Sequence, residues 1–126
     1  MIKIDIDNHS FRDWLKLFKF RYSYIRQFNK EKIAVAVVYK TKKGYHIYMY
    51  DMTYDYNTIL LLECLYGSDI NKQLYAYAEG KDILFRDKFN GKSREKYDKK
   101  KTLLLNKVID EINKNTKQVK VFEVKI

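Results

Sequence analysis

A chain of 126 residues, 46% hydrophobic and 16% aromatic, carries enough apolar surface for one folded core and excludes an intrinsically disordered protein. Twenty-six Lys and Arg against sixteen Asp and Glu leave a formal charge of +10, which makes polyanions natural partners, although the same Lys-, Asn-, Ile- and Tyr-rich composition also follows from AT-rich coding. The longest apolar run, TILLLECLY, is too short to span a bilayer, the lone Cys64 excludes an internal disulfide, and MIKIDIDNHS lacks a secretory pattern, so a single domain in the reducing cytoplasm, away from membranes, is expected.

The first stretch, IKIDID over 2–7, alternates strictly, with Ile2, Ile4 and Ile6 on one face and Lys3, Asp5 and Asp7 on the other, as a half-buried strand does. Ser10 followed by Asp13 resembles a capping box, and Phe11, Trp14, Leu15, Phe18, Tyr22 and Ile25 recur at helical spacing, which predicts an amphipathic helix. Its other face, with Arg12, Lys16, Lys19 and Arg26, reads as solvated surface. KIAVAVVYK, the turn signal TKKG and YHIYMYDM predict a hairpin over residues 32 to 52.

Two short helices follow, NTILLLECLYG ending at Gly67 and SDINKQLYAYAEG running from its cap to Gly80, with Cys64 read as core. DILFRDKF predicts a strand ending at Asn90-Gly91, residues 95 to 114 a helix with Leu104, Leu105, Val108, Ile109 and Ile112 inward, and VKVFEVKI a closing strand. This order predicts an α+β fold, a ferredoxin-like or RRM-like sheet with helices packed on one face and the other face open. In such a sheet the first strand and the second hairpin arm lie side by side at the centre. Asp5 and Asp7 then share the open face with His46, Tyr48 and Tyr50.

Two aligned carboxylates repel each other unless a divalent cation lies between them, and carboxylate oxygens plus substrate phosphates are the ligands that magnesium and manganese prefer. The plain alternative is a pair of solvent-facing acids beside a hydrogen-bonded strand histidine. DID at 5–7 and GYH at 44–46 resemble the catalytic core of the archaeo-eukaryotic primase superfamily, which includes primase-polymerases of archaeal plasmids and viruses. There an acidic pair on one strand and a small-x-His motif on a following strand share the face of an RRM-like sheet.

That resemblance covers about the first half of the chain. It implies that Asp5 and Asp7 bind magnesium or manganese, that His46 contacts a nucleotide phosphate, and that the partners are nucleotides and single-stranded DNA or RNA in a replication system, the protein being a monomer or homodimer. Lys42, Lys43, Tyr48, Tyr50 and Arg86 are the expected contacts to nucleic acid. The family's third acid has no clear equivalent, with Asp87 and Glu123 as candidates, so a relative that keeps the sheet without the reaction is the other outcome.

Three further readings stand beside it. A non-catalytic single-strand binder would stack bases on exposed aromatics, and KGYHIYMY partly resembles the central-strand motif of RNA-recognition domains through Lys43, Gly44, Tyr45 and Tyr50. His46, Ile47 and Tyr48 are out of phase with that motif, and metal-free Asp5 and Asp7 would repel phosphates. A rolling-circle type initiator needs a His-x-His pair, whereas HIY supplies one histidine and His9 is distant. A protein-interaction dimer would show an apolar open face. No P-loop, dinucleotide glycine pattern, CxxC or HExxH is present.

Overall fold

The structure is a computed structural model that describes residues 1–7, 9–28, 32–50, 55–84 and 95–117. In chain order the elements are β1 (Ile2–Asp7), α1 (Phe11–Phe28), β2 (Val35–Lys40), β3 (Gly44–Tyr50), α2 (Tyr56–Leu65), α3 (Ile70–Glu79), β4 (Lys96–Tyr97) and α4 (Lys99–Asn115). The four strands form one antiparallel sheet in the order β1-β3-β2-β4. With its four helices this is the expected ferredoxin-like α+β class. No helix among the described residues is long and apolar enough to cross a membrane.

The alternation in β1 does what its period requires. Ile2, Ile4 and Ile6 are at most 1% exposed and pack on α1 and α4, together with Ala36 and Val38 of β2 and Ile47 and Met49 of β3. Ser10 caps α1 by accepting from the Asp13 amide at 3.1 Å. Spacing of four residues then aligns three rings of α1, so Trp14 stacks on Phe18 and Phe18 on Tyr22, with centroids 5.2 and 5.3 Å apart. Tyr66 meets Phe18 edge-on at 5.1 Å. Burial of each such side chain stabilises the fold by roughly 1.5–3 kcal/mol.

Side chains close the free edge of β1 and the part of β2 that the short β4 leaves uncovered. Along β1, Glu63 Oε2 accepts from the Lys3 amide (2.7 Å), Ser68 Oγ accepts from the Asp5 amide (3.0 Å), the Asp69 amide donates to Asp5 O (2.7 Å) and Lys72 Nζ donates to Lys3 O (2.8 Å). Along β2, Asn106 both accepts from the Ala36 amide and donates to its carbonyl, each at 2.8 Å, and Thr102 Oγ1 accepts from the Val38 amide at 2.9 Å. Thr102 and Asn106 are four apart on α4 and so share one helix face.

Several expectations are corrected. Among the described residues β1 lies at the sheet edge, because α2 and α3 occupy the side where a central strand would have its second neighbour. Residues 96–97 pair with β2 as β4, and α4 starts only at Lys99, where Asp98 Oδ1 accepts from the Lys101 amide at 3.1 Å. Cys64 is exposed rather than core, because α2 turns Leu60, Leu62, Glu63 and Tyr66 inward. Leu104 is 43% exposed while Leu105, Ile109 and Ile112 are buried. Arg26 is buried too, its Nε donating to Asn113 Oδ1 at 3.1 Å. Residues 82–84 form no strand, and the rest of that expected strand lies outside the described residues with the closing strand, Arg86, Asp87 and Glu123.

Candidate functional site

Antiparallel register places the sequence-predicted residues together. Asp5 stands directly opposite His46, and Asp7 opposite Gly44, across the β1–β3 ladder. Partners opposite each other share a face, so Asp5, Asp7 and His46 all lie on the face away from the isoleucines. His46 Nε2 is 3.5 Å from Asp5 Oδ1, and its Nδ1 forms a very short hydrogen bond with Glu95 Oε1. The histidine thus sits between two carboxylates, with both ring nitrogens turned to protein.

The face is less open here than expected, since Asp5 and His46 are each only 6% exposed. Burial pushes the His46 pKa down, but the contacts with Asp5 and Glu95 outweigh it and hold the pKa above the ordinary histidine value. A group whose pKa is raised on folding adds stability that is complete below the unfolded value of 6.5 and is lost as the pH climbs through the folded value. In metal-free protein, an NMR titration of the His46 ring is expected to give a midpoint above that of a free histidine, and Asp5→Asn is expected to lower it. An unchanged midpoint in the variant would show that Asp5 does not stabilise the imidazolium.

A third acid completes the cluster. Asp69 caps α3, where its Oδ2 accepts from the Lys72 amide at 3.2 Å, while its own amide donates to Asp5 O at 2.7 Å. The α2–α3 turn is therefore pinned to β1, and one carboxylate oxygen from each of Asp5, Asp7 and Asp69 lies within 4.8 Å of the other two. Asp5 Oδ1 is buried and accepts no hydrogen bond among the described residues. The Asp7 pKa is raised, by its burial first and then by Asp5 and Asp69, against the lowering pull of Lys43 and His46. Three hard oxygen donors, one of them the buried Asp5 Oδ1 whose one close partner is His46 Nε2 at 3.5 Å, fit a divalent cation such as magnesium or manganese.

Gly44 is required where it stands. A Cβ there would lie 1.7 Å from Ile6 O, so the small residue that opens GYH is what lets β1 and β3 approach beside Asp7.

The expected nucleic-acid contacts fall apart into groups. Lys42 and Lys43 are exposed on the β2–β3 turn, and Tyr50 is 47% exposed at the far end of β3. Tyr48 is half-buried and meets Tyr39 edge-on at 5.6 Å, and Tyr39 meets Tyr97 at 5.8 Å. Sequence reasoning treated Asp69 only as a helix cap and did not single out Glu95 or Tyr97. No protein-family model, no curated protein and no solved structure matches the chain.

Proposed function

We propose that the protein binds magnesium or manganese through Asp5, Asp7 and Asp69 and acts on nucleotides and single-stranded nucleic acid as a small primase-like nucleotidyltransferase core of a replication system, of the kind found in archaeal viruses and plasmids. The observation that carries this reading is the convergence of three carboxylate oxygens, one each from Asp5, Asp7 and Asp69, within 4.8 Å of one another. Asp69 takes the place of the third acid for which Asp87 and Glu123 were the sequence candidates. A cation held there would supply charge stabilisation at phosphate oxygens. His46, backed by Glu95, orients the Asp5 carboxylate.

Tyr39, Tyr48 and Tyr97 form a continuous aromatic row on the same face, which favours a second reading, a non-catalytic single-strand binder that stacks bases on these rings. The acids separate the two. In the metal-dependent reading, Asp5→Asn with Asp7→Asn weakens nucleotide binding in magnesium or manganese roughly tenfold or more, although the surface becomes more positive. In the simple binder the same change relieves repulsion, and single-strand affinity in chelator rises or stays level. Calorimetric titrations of both ligands, beside a primer-extension assay, decide. Wild-type nucleotide and metal affinity in the double variant, with no strand made by either protein, would remove the nucleotidyltransferase reading.

A further inference from the structure

A second concentration of charge lies on the other side of the sheet. Lys40 pairs with Tyr45, which pairs with Ile6, so this register position belongs to the helix-covered face and not to that of Asp5 and His46. At this end of the sheet an open pocket of about 400 Å³ is lined by Arg12, Lys40, Lys42, Lys43 and Lys101 among others, with no acidic residue in its wall. Its five Lys and Arg side chains come from the start of α1, the end of β2, the β2–β3 turn and the first turn of α4. Among the described residues none of the five is in an ion pair.

The floor of the pocket is aromatic and holds two of the ammonium groups. Phe11 and Tyr45 meet edge-on at 5.4 Å, Lys40 Nζ stands 4.6 Å from the Tyr45 centroid, and Lys101 Nζ stands 5.5 Å from that of Phe11. Ring faces attract cations, so both charges are gathered over one volume. Ser10 satisfies the amide of Asp13 through its hydroxyl and that of Trp14 through its carbonyl. Among the described residues the amides of Phe11 and Arg12, at the positive end of an 18-residue helix, have no such partner, and a helix N-terminus favours an anion.

We propose that this pocket binds a short polyphosphate chain, either free or as the phosphates of a nucleotide. Convergence of five cations on one concave volume suits a compact, multiply charged chain better than single phosphates strung along a strand, which call for an extended groove. The site goes beyond the metal-dependent reading and stands without it, because Lys40 and Tyr45 belong to the face opposite Asp5 and Asp7, and of the five cations only Lys43 also acts on Asp7.

The test is calorimetry and amide NMR at about 0.15 M salt, where distant charges are screened, in chelator, with inorganic tripolyphosphate, orthophosphate and ATP as probes. Tripolyphosphate is expected to bind with one-to-one stoichiometry, well above orthophosphate, and to shift the Phe11, Arg12 and Gly44 amides. Arg12→Glu with Lys101→Glu is expected to weaken it roughly tenfold or more. Lys19→Glu with Lys117→Glu, the same change of charge at a distant surface, is expected to weaken it by no more than about twofold. Asp5→Asn with Asp7→Asn is expected to leave it level or slightly tighter, since Asp7 acts on Lys43 alone of the five cations, so this inference and the metal reading fail separately.

ATP bound more tightly than tripolyphosphate identifies a nucleotide ligand, and ATP bound equally or less tightly a free chain. Equal losses in the two reversal variants, equal affinity for orthophosphate, or no binding would each overturn the proposal. Should the first variant lose its fold, Lys42→Glu on the exposed turn gives the same reading.

Discussion

Replacement of Lys72 by methionine is expected to destabilise the fold by about 3–5 kcal/mol, the loss typical when one member of a buried ion pair is removed. Lys72 is 0% exposed in α3, and its Nζ donates to Lys3 O at 2.8 Å, Glu63 Oε1 at 3.0 Å and Asp82 Oδ1 at 2.5 Å, so each ammonium proton has an acceptor. Methionine would match the volume yet strand Glu63 and Asp82 beside each other without a cation. Glu63 is already strained in this sense. Burial, and then its hydrogen bond with Asp82, push its pKa up from 4.5 to about 7 despite the opposing pull of Lys72.

The sign of the pH dependence follows. A carboxyl with a raised folded pKa binds its proton more tightly when folded, so its favourable contribution is complete below pH 4.5 and disappears as the pH rises through about 7. Across that window the wild type is expected to lose up to about 3 kcal/mol. The methionine variant should lose more at pH 8 than at pH 5, where a proton can take over part of the role of Lys72. Urea melts at the two pH values provide the measurement. A loss under 1 kcal/mol, or one independent of pH, would mean that the two acids do not depend on this ammonium.

Gly44→Ala should be as damaging for a reason of shape alone. The added Cβ would lie 1.7 Å from Ile6 O and 2.8 Å from the carbonyl carbon, and a backbone carbonyl in a paired strand cannot rotate away. β1 and β3 must part at the Asp7–Gly44 and Ile6–Tyr45 pairs, at a cost of about 3 kcal/mol or more. Since Asp7 moves with that end of β1, the metal-dependent reading proposed above requires metal affinity to fall together with stability. Gly80 is the natural comparison, as nothing lies within 4 Å of a Cβ there and only its φ of 67° resists alanine. That change should cost only about 1 kcal/mol. Similar melting temperatures for the two alanine variants would contradict the close strand approach.

What the sequence reveals here depends on whether a residue's task is periodic. IKIDID and the aromatic series of α1 encode their buried faces in their spacing, and β1, α1 and the β2–β3 hairpin appear where those patterns predict. The shared face of Asp5, Asp7 and His46 follows from the same alternation once β1 and β3 are paired. TILLLECLY carries no such phase, being apolar all round. Its orientation is set by Glu63 reaching the Lys3 amide, a contact across sixty residues that leaves Leu61 and Cys64 outside. Asp69 was hidden by its local task, since the cap that starts α3 is also the acid that meets Asp5 and Asp7. No spacing rule brings Glu95 to His46, forty-nine residues away.

The side-chain caps on β1 and on the part of β2 that β4 leaves uncovered make these strand amides a reporter of helix docking. The amides of Lys3 and Asp5 are bonded to Glu63 and Ser68, and those of Ala36 and Val38 to Asn106 and Thr102. Edge amides that point to solvent exchange with deuterium readily, whereas these four open only when a helix lifts away. The first pair thus times the departure of the α2–α3 unit and the second that of α4, strand by strand, without the sheet itself coming apart. A neighbouring chain seeking to add a strand at either place meets donors and acceptors already engaged.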